Sequence, residues 1–458
     1  MMTENVYFLG IGGIGMSALA RYYKHAGASV WGYDLSPSGL TRRLEEEGMG
    51  IHYQDDPLQI PSQVAENRDK TLVIYTPALP RDHRELQWFR EKDYEIIKRS
   101  VALGHLSENH VTLAVAGTHG KTTTSTLLAH ILHHSGTGCT AFLGGISKNY
   151  DTNLLLGNSP FLVAEADEYD RSFLQLHPQS ALITSADADH LDIYGTHQAV
   201  REAYSQFASQ VVSGGTLVIK KSVDIALPLQ PGVTAYTYHS SEPCDFYALN
   251  HTMLKGGFYS FDLMLKGKKV EGCRLDLPGR INVENAVGAS AMACLAGIAP
   301  DAIKDALASF RGVSRRMDVR HAGPNCWYID DYAHHPGEIR ASVLSVREWF
   351  PGEKITGIFQ PHLYTRTRDF AGEFAKSLDL LDQVVLMPVY PAREAAIPGV
   401  DAELIAGKMD LQDVTILDAS RIIDFVRENK PRVLITLGAG NIDRLVAPIT
   451  ECLKEMQL

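Results

Sequence analysis

Residues 111–132, VTLAVAGTHGKTTTSTLLAHIL, decide how the fold of this chain is interpreted. The apolar run VTLAVA has the length of a buried strand, GTHG has the composition of a tight loop, and the rest continues as a helix. Glycines in such a loop let backbone amides approach a phosphate, while Lys121 can reach terminal phosphates and Thr122 or Thr123 can hold magnesium. The standard phosphate loop G-x-x-x-x-G-K-[ST] would require glycine where Val115 stands. We interpret the stretch as a shortened triphosphate loop, with a helix-capping loop as the alternative.

A second glycine loop, GIGGIG at residues 10–15, matches G-x-G-x-x-G between the strand VYFLG and the helix MSALARYYKHAG. Asp34 closes the next strand, at the distance expected for a dinucleotide fingerprint. The pattern predicts backbone amides facing a pyrophosphate and an acid placed for a ribose hydroxyl. Any nucleotide diphosphate suits those amides, so NAD is only one candidate. A tight glycine turn without a ligand is the alternative.

Acidic and histidine residues follow other apolar strands of the chain. Glu165 ends the run FLVAE, and His190 lies in DADHLD after the run ALIT. Because ligands bind at the carboxyl edge of parallel sheets, a carboxylate at such a strand end can take magnesium that bridges phosphates. Arg311, Arg315 and Arg316, in FRGVSRRMD, are candidate phosphate clamps, and DDYAHHP at residues 330–336 is dense in functional groups. Ordinary surface positions are the alternative for His190 and these arginines.

Strand and helix patterns alternate along the chain, which predicts an α/β fold with three domains. Residues 1–107 are predicted to form a Rossmann-like domain. Residues 108–318 are predicted to form a central P-loop-type ATPase domain with a parallel sheet, to which the β-rich stretch near 233–276 adds a minor sheet. Residues 319–458 are predicted to form a C-terminal Rossmann-like α/β domain.

Composition and charge exclude some classes of function. The net charge of −11 argues against nucleic acid as the main partner, because neutralising phosphates requires basic surface. The six cysteines are scattered without a C-x-x-C motif, which is typical of reduced structural thiols. No basic segment precedes the first apolar run, and no run is long enough to cross a bilayer. We therefore expect a cytoplasmic protein without a membrane or nucleic-acid partner.

Seven motifs of the second and third segments together resemble the Mur ligases of peptidoglycan precursor synthesis: GTHGKTTT, VAEADEYD, DADHLD, GRINVENA, GVSRRMD, DDYAHHP and QPHLYTRT. The start GIGGIGMSALA extends the resemblance to the first segment, so it covers all three segments in order. The resemblance implies an enzyme that depends on ATP and Mg²⁺ and joins L-alanine to the lactyl carboxylate of UDP-N-acetylmuramate through an acyl phosphate. It also implies that the first domain binds the UDP substrate and the central domain binds ATP. The C-terminal domain would close over ATP and bind the amino acid, in a monomer or a homodimer.

The resemblance assigns roles to individual residues. The ATP-binding residues would be Gly117, Thr118, His119, Gly120, Lys121, Thr122, Thr123, Asn285 at the adenine, Arg316, and Asp331 at the ribose. The metal ligands would be Thr122, Glu165 and His190. The loop GIGGIG would hold UDP rather than NAD, through Gly10, Gly12, Gly13, Ile14, Gly15, Asp34, Ser36 and Thr76. The muramoyl carboxylate and the amino acid would be surrounded by Tyr332, His334, His362 and Arg366. The expected catalytic set is Lys121, Glu165, His190, His334 and Arg366, with His334 or His362 taking the amine proton.

Two positions depart from the family's pattern, and one absence refines it. Leu363 stands where an arginine is usual, and Ser185 where an asparagine is usual. Residues 191–207 contain no lysine of the kind that some related ligases carbamylate, which fits the alanine-adding member. The main alternative is a murein-peptide ligase, which would attach a tripeptide to the same acceptor.

Two further alternatives belong to other classes of protein. An NAD-dependent oxidoreductase built on GIGGIG would leave the second phosphate loop unexplained. A regulatory nucleotide-binding module would bind or hydrolyse ATP without forming an amide.

Overall fold

The computed structural model describes residues 4–80, 82–392 and 394–456, so the outermost ends of the predicted segments 1–107 and 319–458 lie outside it. Within these ranges each predicted segment contains a β-sheet flanked by helices, which confirms the predicted α/β fold of three domains. By their internal contacts the residues divide into two compact units. Unit 1 extends to Asn250 and adds Phe261–Cys273 and Glu284–Arg311, whereas unit 2 comprises His251–Ser260, Arg274–Val283 and the chain from Gly312 onward. The domain boundaries at 107 and 318 stay a prediction.

The N-terminal domain alternates strands and helices. Its elements are β1 (Asn5–Leu9), α1 (Ile14–His25), β2 (Ser29–Tyr33), α2 (Gly39–Glu46), β3 (Gly50–His52), α3 (Ser62–Ala65), β4 (Thr71–Tyr75), α4 (Arg84–Glu91), β5 (Glu95–Lys98) and α5 (Arg99–Glu108), with 3-10 turns at Pro57–Gln59 and Arg68–Lys70. The strands pair in parallel in the order β3-β2-β1-β4-β5. The strand order reverses at β1, so the loop GIGGIG leaves the sheet at a topological switch point, where ligands bind in open α/β sheets.

The strand β1 is buried on both faces, which explains its unbroken apolar sequence. Phe8 packs in the same core as Ala18 and Leu19 of α1, whereas Tyr7 faces the opposite side and packs against Phe89 of α4. Helices therefore cover both faces of this sheet, as the alternating pattern predicts.

The central domain contains the sheet with the most strands among the described residues, ten in all. Its elements are β6 (Val111–Ala116), α6 (Lys121–His134), β7 (Thr140–Ser147), β8 (Thr152–Leu155), β9 (Phe161–Glu165), β10 (Ser180–Ile183), α7 (Leu191–Tyr194), α8 (His197–Ser209), β11 (Thr216–Lys220), β12 (Thr234–His239), β13 (Phe246–Met253), β14 (Tyr259–Leu265), β15 (Lys268–Leu275), α9 (Arg280–Leu295) and α10 (Pro300–Ser309), with a 3-10 segment at Tyr169–Gln175. The strand order is β15-β14-β13-β12-β11-β10-β6-β9-β7-β8.

The predicted minor sheet is the outer part of this one continuous sheet, which corrects the expectation of an attached second sheet. The strand β12 pairs in parallel with β11 from Thr216↔Thr234 to Lys220↔Tyr238, and the strands β13 to β15 continue outward from it. The physical reason is that the backbone groups along the free edge of β11 need hydrogen-bond partners, and β12 supplies them.

The N-terminal sheet and strands β6 to β12 of the central sheet lie in unit 1, where α1 packs against β7 and β8. The side-chain amide of Asn153, on β8, donates hydrogen bonds to the carbonyl oxygen of Ile14 at 2.6 Å and to Oγ of Ser17 at 2.9 Å. Asn153 is fully buried, so both bonds are made away from water. The start of α1, which follows the GIGGIG loop, is therefore fixed relative to the central sheet.

The C-terminal domain forms a mixed sheet in unit 2. Its elements are β16 (Asp318–Ala322), β17 (Trp327–Asp331), α11 (Pro336–Trp349), β18 (Ile355–Phe359), α12 (Tyr364–Leu378), β19 (Gln383–Leu386), α13 (Ala402–Ala406), β20 (Val414–Ile416), α14 (Ile422–Asn429), β21 (Val433–Leu437) and α15 (Asp443–Glu455), with a 3-10 turn at Ala419–Arg421. The order is β16-β17-β21-β18-β19-β20, and only the β16–β17 pair among these described strands is antiparallel. Across the described residues, the helices all fall short of the length and apolarity required to span a bilayer.

Candidate active site

The predicted phosphate loop connects β6 to α6 as the sequence indicates. Gly117 and Gly120 both have positive φ, +136° and +80°, so each adopts a backbone conformation that side chains disfavour. A Cβ on Gly117 would lie 2.8 Å from the backbone nitrogen of Ser185, and one on Gly120 would lie 2.6 Å from Oδ1 of Asn285. Both glycines are therefore required by the close packing of the loop. Asn285, predicted from the motif GRINVENA, lies directly beside it.

Ser185, which departs from the family's usual asparagine, holds the phosphate loop in place. Its hydroxyl accepts a hydrogen bond from the backbone N–H of His119 at 2.9 Å and lies 2.7 Å from the hydroxyl of Thr118. The Thr118 hydroxyl also accepts from the backbone N–H of Asp187 at 3.2 Å. Since Ser185 is buried, these contacts are shielded from solvent and attach the loop to the end of β10.

Lys121, the first residue of α6, is the centre of the charged network in this domain. Its ammonium group donates to Oε1 of Glu168 at 2.9 Å and to the carbonyl oxygen of Gly117 at 2.6 Å. Burial by itself lowers the pKa of Lys121, but the carboxylates of Glu168 and Glu165 outweigh it and raise the pKa. Lys121 is therefore a permanent cation placed at the mouth of the loop.

The predicted metal ligands fall into two adjacent groups. Thr122 donates its hydroxyl to Oε1 of Glu165 at 3.2 Å. In the second group, Nε2 of His190 lies 3.7 Å from Oε1 of Glu168 and 3.7 Å from Oδ2 of Asp189. One possible ligand atom from each of these three residues lies within 4.8 Å of the other two. Carboxylate and hydroxyl oxygens are the donors that Mg²⁺ prefers, and the residues present therefore fit a magnesium ion.

Glu168 is a candidate site residue that the sequence analysis did not select. It belongs to the acidic run EADEYD, three residues after Glu165, and several acids there made the choice ambiguous. The structure distinguishes it because its side chain is 2% exposed and contacts both Lys121 and His190. Glu168 thus joins the phosphate loop to the predicted metal position.

Asp34 holds the GIGGIG loop beside the end of β2. Asp34 accepts hydrogen bonds from the backbone N–H of Gly12 at 2.7 Å and of Leu35 at 2.8 Å. The pKa of Asp34 is raised overall, because the effect of burial outweighs the opposite effect of three hydrogen bonds from the backbone N–H groups of Gly12, Leu35 and Ser36. The methyl group of Thr76 occupies the space next to Gly10, because a Cβ on Gly10 would lie only 2.6 Å from that methyl carbon. The structure therefore brings the predicted Gly10, Gly12, Asp34, Ser36 and Thr76 together.

In unit 2 the predicted residues of DDYAHHP and QPHLYTRT form a second cluster. The ring of Tyr332 lies 4.8 Å from the guanidinium carbon of Arg316 and 5.2 Å from the His334 ring. The His334 ring is in turn 5.9 Å from the ring of His362. Nδ1 of His334 lies 3.2 Å from a carboxylate oxygen of Glu338, which fixes the orientation of the imidazole.

Two adjacent aspartates end β17 and have different surroundings. Asp330 accepts hydrogen bonds from Nε of Arg315 at 3.1 Å and from the hydroxyl of Thr436 at 2.7 Å. Its carboxylate is therefore bound by groups of the protein, which indicates a structural role. Asp331 accepts from the hydroxyl of Ser342 at 2.5 Å, and burial raises its pKa to about 6. Arg315 and Arg316 both lie over the ring of Tyr332, and Arg315 in addition pairs with Asp330.

The departure at Leu363 coincides with backbone strain. Leu363 has φ +72° and caps α12, and a side chain in this region costs on the order of 1–3 kcal/mol. Its carbonyl oxygen accepts from the hydroxyl of Thr367 at 2.8 Å, and its N–H donates to the carbonyl oxygen of Tyr390 at 2.9 Å. Arg366 follows in the first turn of the same helix and is 9% exposed.

Comparison with known proteins identifies the family. Three family descriptions match the chain: "Mur ligase family, catalytic domain" over residues 5–111, "Mur ligase middle domain" over 115–293, and "Mur ligase, glutamate ligase domain" over 315–440. The UDP-N-acetylmuramate–L-alanine ligase of Parabacteroides distasonis is 49% identical over 98% of this chain and 97% of its own length. The chain belongs to the Mur ligase family.

Other members support the same assignment. The UDP-N-acetylmuramate–L-alanine ligase of Cytophaga hutchinsonii is 43% identical over 97% of this Mur ligase and 96% of its own length. The crystal structure of the UDP-N-acetylmuramate–alanine ligase of Thermotoga maritima matches with a TM-score of 0.82 at 28% identity, covering 99% of both chains. A murein peptide ligase from Psychrobacter arcticus matches with a TM-score of 0.71 over 98% of both chains, and at 20% identity it shows the shared fold alone.

The raised pKa of Asp331 predicts a pH-dependent stability. The folded state favours the neutral form of Asp331, and this preference stabilises the fold. The stabilisation is complete below about pH 4 and is lost as the pH rises through about 6. The Asp331→Asn variant, which is neutral at every pH, should lack this component. Relative to the variant, the wild type should lose on the order of 2–3 kcal/mol in free energy of unfolding between pH 4 and 7. Urea unfolding at each pH measures it, and parallel curves for the two proteins would contradict the buried acid.

Proposed function

We propose that this Mur ligase joins L-alanine to the lactyl carboxylate of UDP-N-acetylmuramate at the expense of ATP. The observation that carries the proposal is the similarity along the whole chain to proteins with that activity in their names, at up to 49% identity. The phosphate loop beside Thr122 and Glu165 and beside the Glu168, Asp189 and His190 cluster supports it, because the reaction requires a triphosphate together with a cation that neutralises its charge.

The chemistry explains why a triphosphate is required. A carboxylate does not react with an amine at neutral pH, because oxide would be its leaving group. Transfer of the terminal phosphoryl group from ATP to the carboxylate oxygen forms an acyl phosphate and ADP. The amine of L-alanine then attacks the acyl carbon, loses a proton, and expels phosphate from the tetrahedral intermediate. The protein contributes positioning and charge neutralisation rather than covalent chemistry.

In this proposal the residues of the central domain hold the triphosphate. Lys121 would move its ammonium group from the Glu168 carboxylate to the terminal phosphate, while the amides of residues 117–120 would bind the other phosphates. Thr122 and Glu165 would hold Mg²⁺, with Glu168, Asp189 and His190 completing the acidic surroundings. The ion, when bound, neutralises negative charge on the phosphates. A structure of a family member, the MurF ligase of Thermotoga maritima, is described as a complex with ADP.

The GIGGIG loop would bind the diphosphate of the UDP substrate through the backbone amides at the start of α1, because the N–H groups of residues 10–13 already donate within the protein. Asp34 already accepts from the N–H of Gly12, so it supports the loop as well as offering an acceptor to the ribose. Ser36 and Thr76 lie at the ends of the neighbouring strands and complete this proposed site.

The C-terminal cluster would bind the amino acid. Arg366 offers a planar fork of donors that matches the carboxylate of alanine. His334, held by Glu338, and His362 are the two candidates for accepting the amine proton. Asp331 and Arg316 are the residues proposed for the ATP ribose and phosphates.

A phosphate-release assay tests the proposal and its alternative. Purified protein would be incubated with ATP, Mg²⁺, UDP-N-acetylmuramate and, separately, L-alanine, glycine, L-serine or a tripeptide. We expect the highest kcat/KM with L-alanine, together with formation of the amide by mass spectrometry. A preference for the tripeptide would replace this function by murein-peptide ligation, and phosphate release without an amide would indicate a nucleotide-binding module.

Lys121→Ala should abolish ligation while leaving the affinity for UDP-N-acetylmuramate nearly unchanged, because the UDP site is formed by a different sheet. The matched control is Lys221→Ala, since Lys221 is an exposed lysine of the same domain paired only with surface groups. Steady-state kinetics and calorimetry with UDP-N-acetylmuramate measure the two effects. A large loss of affinity for the UDP substrate in Lys121→Ala would contradict the assignment of the two sites to separate domains.

Glu165→Ala and His190→Ala should raise the magnesium concentration needed for half-maximal activity, without changing the Michaelis constant for L-alanine. Each change removes a direct or water-mediated ligand from the ion. Glu168→Ala should do the same and should in addition weaken ATP binding, because it also removes the partner of Lys121. Magnesium titrations at saturating substrates measure these effects, and unchanged curves would make the residues structural.

Arg366→Lys should raise the Michaelis constant for L-alanine by at least about tenfold, because a lysine cannot reproduce two parallel hydrogen bonds to a carboxylate. The Michaelis constant for ATP should change little. Selectivity against glycine should be modest in the wild type, since one methyl group contributes only about 1 kcal/mol. Arg368→Lys, an exposed position in the same helix, is the matched control. Equal effects of the two variants would exclude Arg366 from the amino-acid site.

A further inference from the structure

Arg99 connects the two glycine loops of unit 1. It is the first residue of α5, directly after β5 of the N-terminal sheet, and its Nη2 lies 2.8 Å from Oδ2 of Asp167. Asp167 follows β9 of the central sheet, two residues after Glu165. The ion pair therefore bridges the sheet that carries GIGGIG and the sheet that carries the phosphate loop.

The guanidinium of Arg99 also lies against Gly15. A Cβ on Gly15 would stand 3.3 Å from Cδ of Arg99 and 3.4 Å from its guanidinium carbon. Arg99 thus occupies the space that a side chain at position 15 would need, and a larger residue there would displace the guanidinium.

Arg99 lines a cavity of about 90 Å³ whose walls come from both sheets. The wall includes Ile14 and Gly15 at the start of α1, and Glu165 and Asp167 after β9. Arg99 is the only cation among the described lining residues, against these two carboxylates. An anionic group entering the cavity would be repelled by both acids, and Arg99 is the side chain that can offset this repulsion.

The neighbouring Lys98 offers a direct comparison. Its Nζ pairs with Asp170 at the same distance of 2.8 Å, but it does not line the cavity, and 42% of its side chain is exposed. Arg99 is 21% exposed and presents a planar fork of donors, which suits a carboxylate better than an ammonium group does.

We propose that Arg99 is a specificity-determining residue that exchanges Asp167 for the carboxylate of the UDP-sugar acceptor. The inference rests on the proposed function, in which this carboxylate must reach the phosphate loop. A substrate whose diphosphate lies on GIGGIG directs its sugar toward the cavity, and its carboxylate then replaces Asp167 on the guanidinium. Arg99 thereby distinguishes an acceptor that carries a carboxylate from an otherwise identical sugar without one.

Two UDP sugars that differ only in the lactyl group provide the test. Calorimetry without ATP would measure the affinity of UDP-N-acetylmuramate and of UDP-N-acetylglucosamine for the wild type, Arg99→Ala, Arg99→Lys and the control Lys98→Ala. We expect Arg99→Ala to weaken the muramate by at least about tenfold, the factor that corresponds to 1.4 kcal/mol, and to change the glucosamine by less than about twofold. Arg99→Lys should fall between, and Lys98→Ala should bind both sugars as the wild type does.

Equal losses for both sugars in Arg99→Ala would overturn the inference and make Arg99 a support of the glycine loop, and unchanged affinities for both would overturn it as well. Retained binding of UDP-N-acetylglucosamine shows at the same time that the variant is folded. A wild type that does not bind UDP-N-acetylmuramate would overturn the proposed function itself. A wild type that ligates normally beside an Arg99→Ala variant with unchanged selectivity would overturn only the role of Arg99.

Discussion

The ion pair between Lys121 and Glu168 is the interaction on which the candidate site of the central domain depends. The positive charge of a largely buried ammonium group requires a nearby negative charge, and the carboxylate of Glu168, which is 2% exposed, supplies it. Because Lys121 begins α6 and Glu168 follows β9, the pair fixes two neighbouring strand ends relative to each other. His190, after β10, reaches the same carboxylate. Three strand ends are thus assembled around one buried acid.

The glycines of the two loops have a second role besides allowing unusual backbone angles. A side chain on Gly117 or Gly120 would collide with the chain at Ser185 or Asn285, and a side chain on Gly15 would collide with Arg99. Each glycine therefore marks a place where another part of the chain packs against the loop. At Gly117 the close packing brings the phosphate loop next to Ser185. Ser185 is smaller than the family's usual asparagine, but its hydroxyl is therefore near enough to fix the loop.

The acidic residues of unit 1 make the proposed reaction possible only with compensating cations. Glu165, Asp167 and Glu168 lie close together, and the proposed acceptor and ATP are also negatively charged. Lys121 and Arg99 are already paired with these acids, so their side chains are held in position by carboxylates that anionic ligands would have to displace. A site of this kind keeps its cations oriented before substrates arrive, which is what electrostatic preorganisation requires.

Local sequence alone determined the α/β class, the two glycine loops and the candidate acid and histidine after the central strands, because strand periodicity and glycine spacing are short-range signals. The roles of the remaining candidate residues came from the resemblance to the Mur ligases. It did not determine that β12 to β15 extend the central sheet, since strand pairing depends on which edge is free. It also did not select Glu168 from the run EADEYD, or separate Arg315 from Arg316, because neighbouring residues of one type differ only in burial and partners. The bridge from Arg99 to Asp167 joins positions far apart in the chain, and only the tertiary structure decided it.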